Sequence, residues 1–281
     1  MSKETCGFIG AKRLHSRQNC LDRQIVLHVV VLLLTCQVSK HLLAADLIFY
    51  SVGKGQYFNQ TSGGSPVLKQ PRPWLGEARL VVESNSVNDV MLKLPQSLFP
   101  WYIAHRWYQE GSSTTQAQQD TGWPNGEYRF QVYTKHDGLI NVTNQMISGS
   151  FPNAPTVNNF PAAQAIDASS DFSLTWDSFV GGTLADLIYC QLQTVGAAVF
   201  HTPMVPGSAG ALDGTATSVT IPAGTLAPAR AYLGRLVFAR TLTTSSNLNY
   251  PAFGATFAFT QTEFWIRTQG EGDSTPPYDL L

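Results

Sequence analysis

The chain has 281 residues, of which 43% are apolar and only 13% charged, against roughly 25% charged in an average soluble domain. Its 23 glycines and 16 prolines stay near background, which excludes collagen-like and low-complexity classes. Basic and acidic residues number 18 and 19, a net charge of −1, so there is no whole-chain basic footprint for nucleic acid.

That near-neutrality hides an asymmetry. Lys3, Lys12, Arg13, Arg17, Arg23 and Lys40 face only Glu4 and Asp22 in residues 1–45, and the remainder carries the acidic excess. Between Arg23 and Lys40 lies the apolar run Ile25–Cys36, too short for a membrane span of roughly 20 residues. A basic start, a short apolar run and Leu43-Ala44-Ala45 before Asp46 read as a secretory signal peptide over 1–45. A second processing reading is lipidation at Cys36, since Leu33-Leu34-Thr35-Cys36 resembles a bacterial lipoprotein box. Either way the product is secreted, periplasmic or at the cell surface, with membrane contact only through the export segment. Three of the four cysteines, Cys6, Cys20 and Cys36, fall in that segment. Cys190 is then alone in a strand-like run and reads as a buried structural thiol.

Beyond residue 46 the pattern has period two. Strands are expected at Asp46–Val52, Ala78–Glu83, Val87–Leu94, Trp101–Tyr108 and Tyr128–Val132. Gly53-Lys54-Gly55 reads as a turn, and Gly111–Gln119 as an exposed polar loop. Asp137-Gly138 marks a hairpin into Leu139–Thr143. Later strands are expected at Phe172–Trp176, Leu187–Gln193, Ala197–His201, Ser218–Ile221, Tyr232–Arg240 and Ala255–Arg267. Short strands between turn signals argue an all-β sandwich rather than a βαβ fold. Pro152 and Pro155 suggest a boundary: an N-terminal β-rich unit at 46–150, a β-sandwich at 151–270 and a flexible tail at 271–281. One continuous sandwich is the competing organisation.

The second half resembles a fibronectin type III domain over about residues 155–268. Phe172-Ser-Leu-Thr-Trp176 is similar to that family's second strand with its core Trp, and Leu226-Ala-Pro-Ala-Arg-Ala-Tyr232 to its Leu-x-Pro-x-x-x-Tyr. The resemblance implies an immunoglobulin-like sandwich in which the Tyr232 hydroxyl bonds back to the chain. The loop Asp177–Asp186 is longer than the family pattern. Stretches around Ala162–Asp167 and Leu212–Leu226 also resemble an uncharacterised family of exported bacterial proteins, which implies no activity.

Chemistry-bearing motifs are scarce. There is no His-Glu-x-x-His, Gly-x-Ser-x-Gly or phosphate loop, and no cofactor or metal is implied. His105, His136 and His201 are far apart in sequence, and Asp167, Asp171, Asp177, Asp186 and Asp213 suit turn capping better than Ca²⁺ ligation. Asn59-Gln-Thr61 and Asn141-Val-Thr143 are sequons. The unusual feature is aromatic: Trp101, Tyr102, Trp107 and Tyr108, with Trp74 and Trp123 nearby. Such rings either fill the N-terminal core or form a platform for sugar rings or a protein partner. The expectation is therefore a non-enzymatic exported protein with a structural or adhesive role at the envelope or in the extracellular matrix. The alternative is a carbohydrate-binding module using Trp101, Tyr102, Trp107 and Tyr108. The partner in either case is a polysaccharide or protein at the cell surface.

Overall fold

The structure is a computed structural model that describes residues 45–98, 100–102, 108–195, 197–247, 249–272 and 275–280, with backbone alone at Trp101 and Tyr102. Of the expected export segment 1–45, residues 1–44, with Cys36, lie outside the described residues. From residue 45 onward the chain forms one compact unit. Its fold is all-β.

The first half contributes β1 (Leu47–Gln60), β2 (Val67–Leu68), β3 (Trp74–Val82), β4 (Val87–Lys93), β5 (Trp101–Tyr102), β6 (Tyr108–Ser113), β7 (Gly126–Thr134) and β8 (Leu139–Met146). The second half contributes β9 (Phe172–Thr175), β10 (Leu187–Thr194), β11 (Ala197–His201), β12 (Leu212–Asp213), β13 (Ser218–Ile221), β14 (Ala231–Asn247) and β15 (Tyr250–Arg267). One large sheet runs β11-β10-β14-β15-β1-β3-β6, with β12 on β10 and β2 on β1. A four-stranded sheet runs β5-β4-β7-β8, and β9 pairs with β13. Strands from both sides of residue 150 thus share the large sheet. The join is a parallel pairing of β1 with β15, from Phe49 opposite Phe253 to Gln60 opposite Phe264.

Two of the three apolar clusters among the described residues lie between the large sheet and the smaller ones. At one end Tyr50 and Val52 of β1 pack on Leu92, Phe130, Val132 and Val142 of the four-stranded sheet. Alternation in β7 and β8 puts every second residue in this core, as the period-two pattern requires. At the other end Leu174, Trp176, Cys190, Tyr232, Phe238 and Phe264 pack together. Each fully buried Phe contributes on the order of 2 kcal/mol by leaving water.

This second core has the layout that the fibronectin-like motifs imply. β9 and β13 face β11-β10-β14-β15, and Val157 bridges to Trp176. Trp176 is buried and donates its indole N–H to the Ala216 carbonyl at 3.0 Å. The Tyr232 hydroxyl turns back onto Ala227, which closes the tyrosine corner. Cys190 is buried and free, and burial pushes its thiol up to about 12.

Three local expectations need correction. Gly53-Lys54-Gly55 is no turn but the middle of β1. A Cβ on Gly55 would sit 2.3 Å from the Phe259 ring, so glycine is needed for close packing rather than for bending. The polar stretch after β6 is not all loop: Gln116–Gly122 forms α1, N-capped by Thr115, whose hydroxyl accepts from Gln118 N–H. Gln119 of this helix is buried and donates to the carbonyls of Gly55 and Leu75. The single strand expected over Trp101–Tyr108 is two elements, because β5 belongs to the four-stranded sheet and β6 to the large one. The C-terminal residues lie on the large sheet. Tyr278 packs edge-on against Trp265 at 5.1 Å, and Asn59 donates to the Leu280 carbonyl.

Candidate functional site

The four residues singled out as a ligand platform do not share one strand. β5 pairs with β4, with Trp101 opposite Leu92 and Tyr102 opposite Met91. Trp107, like His105, lies outside the described residues. Tyr108 begins β6 and pairs opposite Arg79 of β3 in the other sheet. The neighbouring tryptophans are packed: Trp123 is buried and stacked on Tyr128, and Trp74 is half-buried edge-on to Phe151.

Around Tyr108 the large sheet carries a dense polar network. Glu77 and Glu110 stand directly opposite each other on β3 and β6, a pairing of like charges that costs stability unless compensated. Arg79 compensates it. Its Nε and Nη2 donate to the two oxygens of Glu77, each at 3.0 Å, and its guanidinium stacks 4.4 Å from the Tyr108 ring centre. The Tyr108 hydroxyl donates to Glu110 and lies 3.4 Å from Glu77. Burial, then the Glu77 charge, pushes the Tyr108 phenol far above its ordinary value. Burial opposes the Arg79 charge, but Glu77, Tyr108 and Tyr57 together outweigh it and hold the guanidinium protonated.

Two strands away, the buried Glu263 carboxylate accepts from Lys69 at 2.6 Å and from Arg235 at 3.0 Å. Every one of these charges is answered by a partner within the sheet. The cavity bordered by Arg79, Tyr189, Met204, Arg235, Phe259 and Gln261 measures about 50 Å³. That is room for a water or two, not for a sugar ring. The network is therefore structural.

A different surface has the room. The outer face of the four-stranded sheet holds an open groove of about 640 Å³ beside β5, within the 300–1,000 Å³ span typical of ligand pockets. Its floor is two rows set by strand register: Met91, Gln131 and Asn141, then Lys93, Arg129 and Thr143. Gln131 donates to the Asn141 side-chain carbonyl at 3.3 Å, and Arg129 pairs with Glu127. Tyr102 sits at the register position that extends the first row and Trp101 at that of the buried Leu92. The alternation of β7 was legible in sequence, but these outward residues read only as its polar half. Nothing in a single strand says that residues of β4, β7 and β8 will meet in two rows to form a groove.

Four of the five expected cappers, Asp167, Asp171, Asp186 and Asp213, behave as such. Asp167 accepts from Ser169 N–H at 2.9 Å, Asp213 from Thr215 N–H at 2.8 Å, and Asp171 from Ala223 N–H at 2.8 Å. Asp186 ties its own loop to β14, accepting from Thr183 N–H at 2.9 Å and Thr241 N–H at 2.8 Å. His136 Nδ1 lies 2.7 Å from Asp46, while His201 faces Tyr189 at the far sheet edge. No helix among the described residues is long and apolar enough to cross a membrane.

No family model and no curated protein matches the chain. Solved structures do. One belongs to a Ca²⁺-stabilised adhesin that helps an Antarctic bacterium bind ice: 14% identity, TM-score 0.24, covering 83% of this chain and 50% of that one. A second is a 1.5-MDa bacterial ice-binding adhesin, at 13% identity and TM-score 0.20, covering 81% and 66%. A third comprises the FN1–FN3 domains of chicken CNTN1, at 11% identity and TM-score 0.23, covering 77% and 63%. The chain thus spans between half and two-thirds of these proteins.

Proposed function

We propose that the protein is exported and non-enzymatic, with a structural or adhesive role at the cell envelope or in the extracellular matrix. The observation that carries this reading is the disposition of its ionisable groups. Glu77 with Arg79, Glu263 with Lys69 and Arg235, and Lys54 with Asp120 are each committed to a partner that braces the large sheet. Groups so committed suit a rigid scaffold rather than proton transfer. We divide the scaffold into two β units, 46–150 and 151–270, each with its own core beneath shared strands.

A second reading, a carbohydrate-binding module, rests on the groove of the four-stranded sheet. Its amides and cations match the hydroxyl-rich surface of a saccharide, and β5 brings Trp101 and Tyr102 to its border. Trp107 and Tyr108 follow a few residues later in the chain. A glycan and polysaccharide array probed with the full chain separates the two readings. Binding that drops about tenfold in Arg129→Ala, Asn141→Ala and Tyr102→Ala, the loss expected from removing a charge-assisted hydrogen bond or a ring at the register position that extends the groove, supports the module. Absence of binding, with normal retention of the chain at the cell surface, supports the scaffold alone.

A further inference from the structure

Asp46 lies immediately before β1, and every polar group it carries is engaged. The Asp46 carbonyl accepts from Glu83 N–H and from the Ser86 hydroxyl, each at 3.0 Å. Its buried carboxylate accepts from the N–H groups of His136 at 2.7 Å and Asp137 at 3.2 Å, and lies 2.7 Å from His136 Nδ1. Its own backbone N–H donates to Asp137 Oδ2 at 3.0 Å. That same oxygen accepts from the Tyr250 hydroxyl at 2.6 Å, and the Tyr250 hydroxyl in turn accepts from Leu47 N–H. Ala45, one residue earlier, is half-buried and marks the start of the compact unit.

A carboxylate facing a backbone nitrogen is a modest arrangement for an amide and a strong one for an ammonium. We infer that the Ala45–Asp46 peptide bond is the processing site, and that the α-amino group released at Asp46 forms an ion pair with Asp137 that clasps the mature N-terminus to the β7–β8 hairpin. The reaction is peptide hydrolysis by an export-associated peptidase. Water adds to the Ala45 carbonyl carbon, the bond to Asp46 nitrogen breaks, and the amine leaves with a proton. Ala45 departs as a carboxylate, and the amine takes a further proton at neutral pH. The nitrogen keeps its place and gains two donors and a positive charge beside Asp137. Cleavage one bond earlier would leave Ala45 as the terminus, carry the charge away from Asp137 and forgo the pair.

The inference rests on the export reading, and one experiment distinguishes their failures. The full chain is expressed in a secreting bacterial host, and the exported product is sequenced from its N-terminus. A product beginning at Asp46 is expected. A product beginning at Ala45, at Cys36 or anywhere else overturns the inference and leaves export standing, whereas an uncut chain held in the cytoplasm overturns both. The exported product is then labelled at pH 7 with an amine-acylating reagent, and the N-terminal peptide is quantified. The ion pair keeps the α-amine protonated, so labelling should be about fivefold slower than in Asp137→Asn, a factor in keeping with a partly exposed charge pair. The asparagine retains an acceptor for Tyr250 and removes only the charge. Equal labelling of the two proteins would show that no such pair forms.

Discussion

The Tyr232 hydroxyl and the Ala227 backbone, five residues upstream, bond to each other twice. Ala227 N–H donates to the phenolic oxygen at 2.7 Å, and the hydroxyl donates to the Ala227 carbonyl at 3.3 Å. The contact pins the chain as it enters β14, the strand that runs beneath both cores. Thr268, at the end of β15, reinforces the corner by donating to the same carbonyl at 2.7 Å.

Tyr232→Phe therefore removes the hydroxyl partner of the Ala227 backbone while leaving the ring in place. We expect a loss of about 1 kcal/mol in urea unfolding, the net worth of a partly solvent-exposed hydrogen bond. The m-value should stay unchanged, because the surface exposed on unfolding is the same.

Gly55→Ala tests the close approach of β1 and β15. The added methyl meets the Phe259 ring at 2.3 Å, and overpacking of this kind costs about 1–3 kcal/mol. Combining it with Phe259→Leu should give a double mutant less destabilised than the sum of the two single changes. Simple additivity would show that the ring is not what excludes a side chain at residue 55.

Glu263→Gln leaves Lys69 and Arg235 facing a neutral group in a buried position. Both cations are about one-third exposed, with side-chain accessibilities of 35%, so solvent screens part of the loss. The expected destabilisation is about 1–3 kcal/mol, below that of a fully buried pair. Thermal unfolding of the Glu263→Gln and Glu263→Leu variants would separate lost charge from lost shape.

Cys190 supplies an alkaline signature. Burial raises its thiol to about 12 in the folded state, while an unfolded thiol ionises near 8.5. A raised pKa contributes stability that is complete below the unfolded value. That contribution is lost as pH climbs from about 8.5 toward 12, because the unfolded chain gains the thiolate first. Cys190→Ser or Cys190→Ala should flatten the fall in stability across that window. The native thiol should also resist a disulfide reagent at pH 8 until denaturant is added.

Much of this was legible in the sequence. Alternation at Tyr128, Phe130 and Val132 placed β7 and its buried face correctly, because the side-chain period of a strand needs no knowledge of its neighbours. Tyr232 announced the sandwich of the second half because its corner closes on Ala227, five residues upstream, whereas Trp176 was legible only as part of a short motif, its partner Ala216 lying 40 residues away. β14 and β15 extend beyond the strands read from sequence: after Arg240 the residues are mostly Thr, Ser and Asn, whose apolar signal fades, and before Ala255 the strand pattern is broken by Pro251 and Gly254. Those strands persist because β8 supplies hydrogen-bond partners, as where Thr243 donates to the Gln145 carbonyl at 2.7 Å.

What the sequence determined by itself was the all-β class, most strand positions, the aromatic core of the second half and the polar turns. Each follows from local periodicity, turn chemistry or a short motif. Only the tertiary structure decided that β1 would run parallel to β15, that Gly53 and Gly55 would make room for Phe259, and that Trp101 and Tyr108 would part into different sheets. It alone brought Asp46 to Asp137 and gathered Gln131, Asn141 and Arg129 along one groove. These are pairings across tens to hundreds of residues. They are selected by which buried faces and charges complement one another in space, and no window along the chain contains both partners.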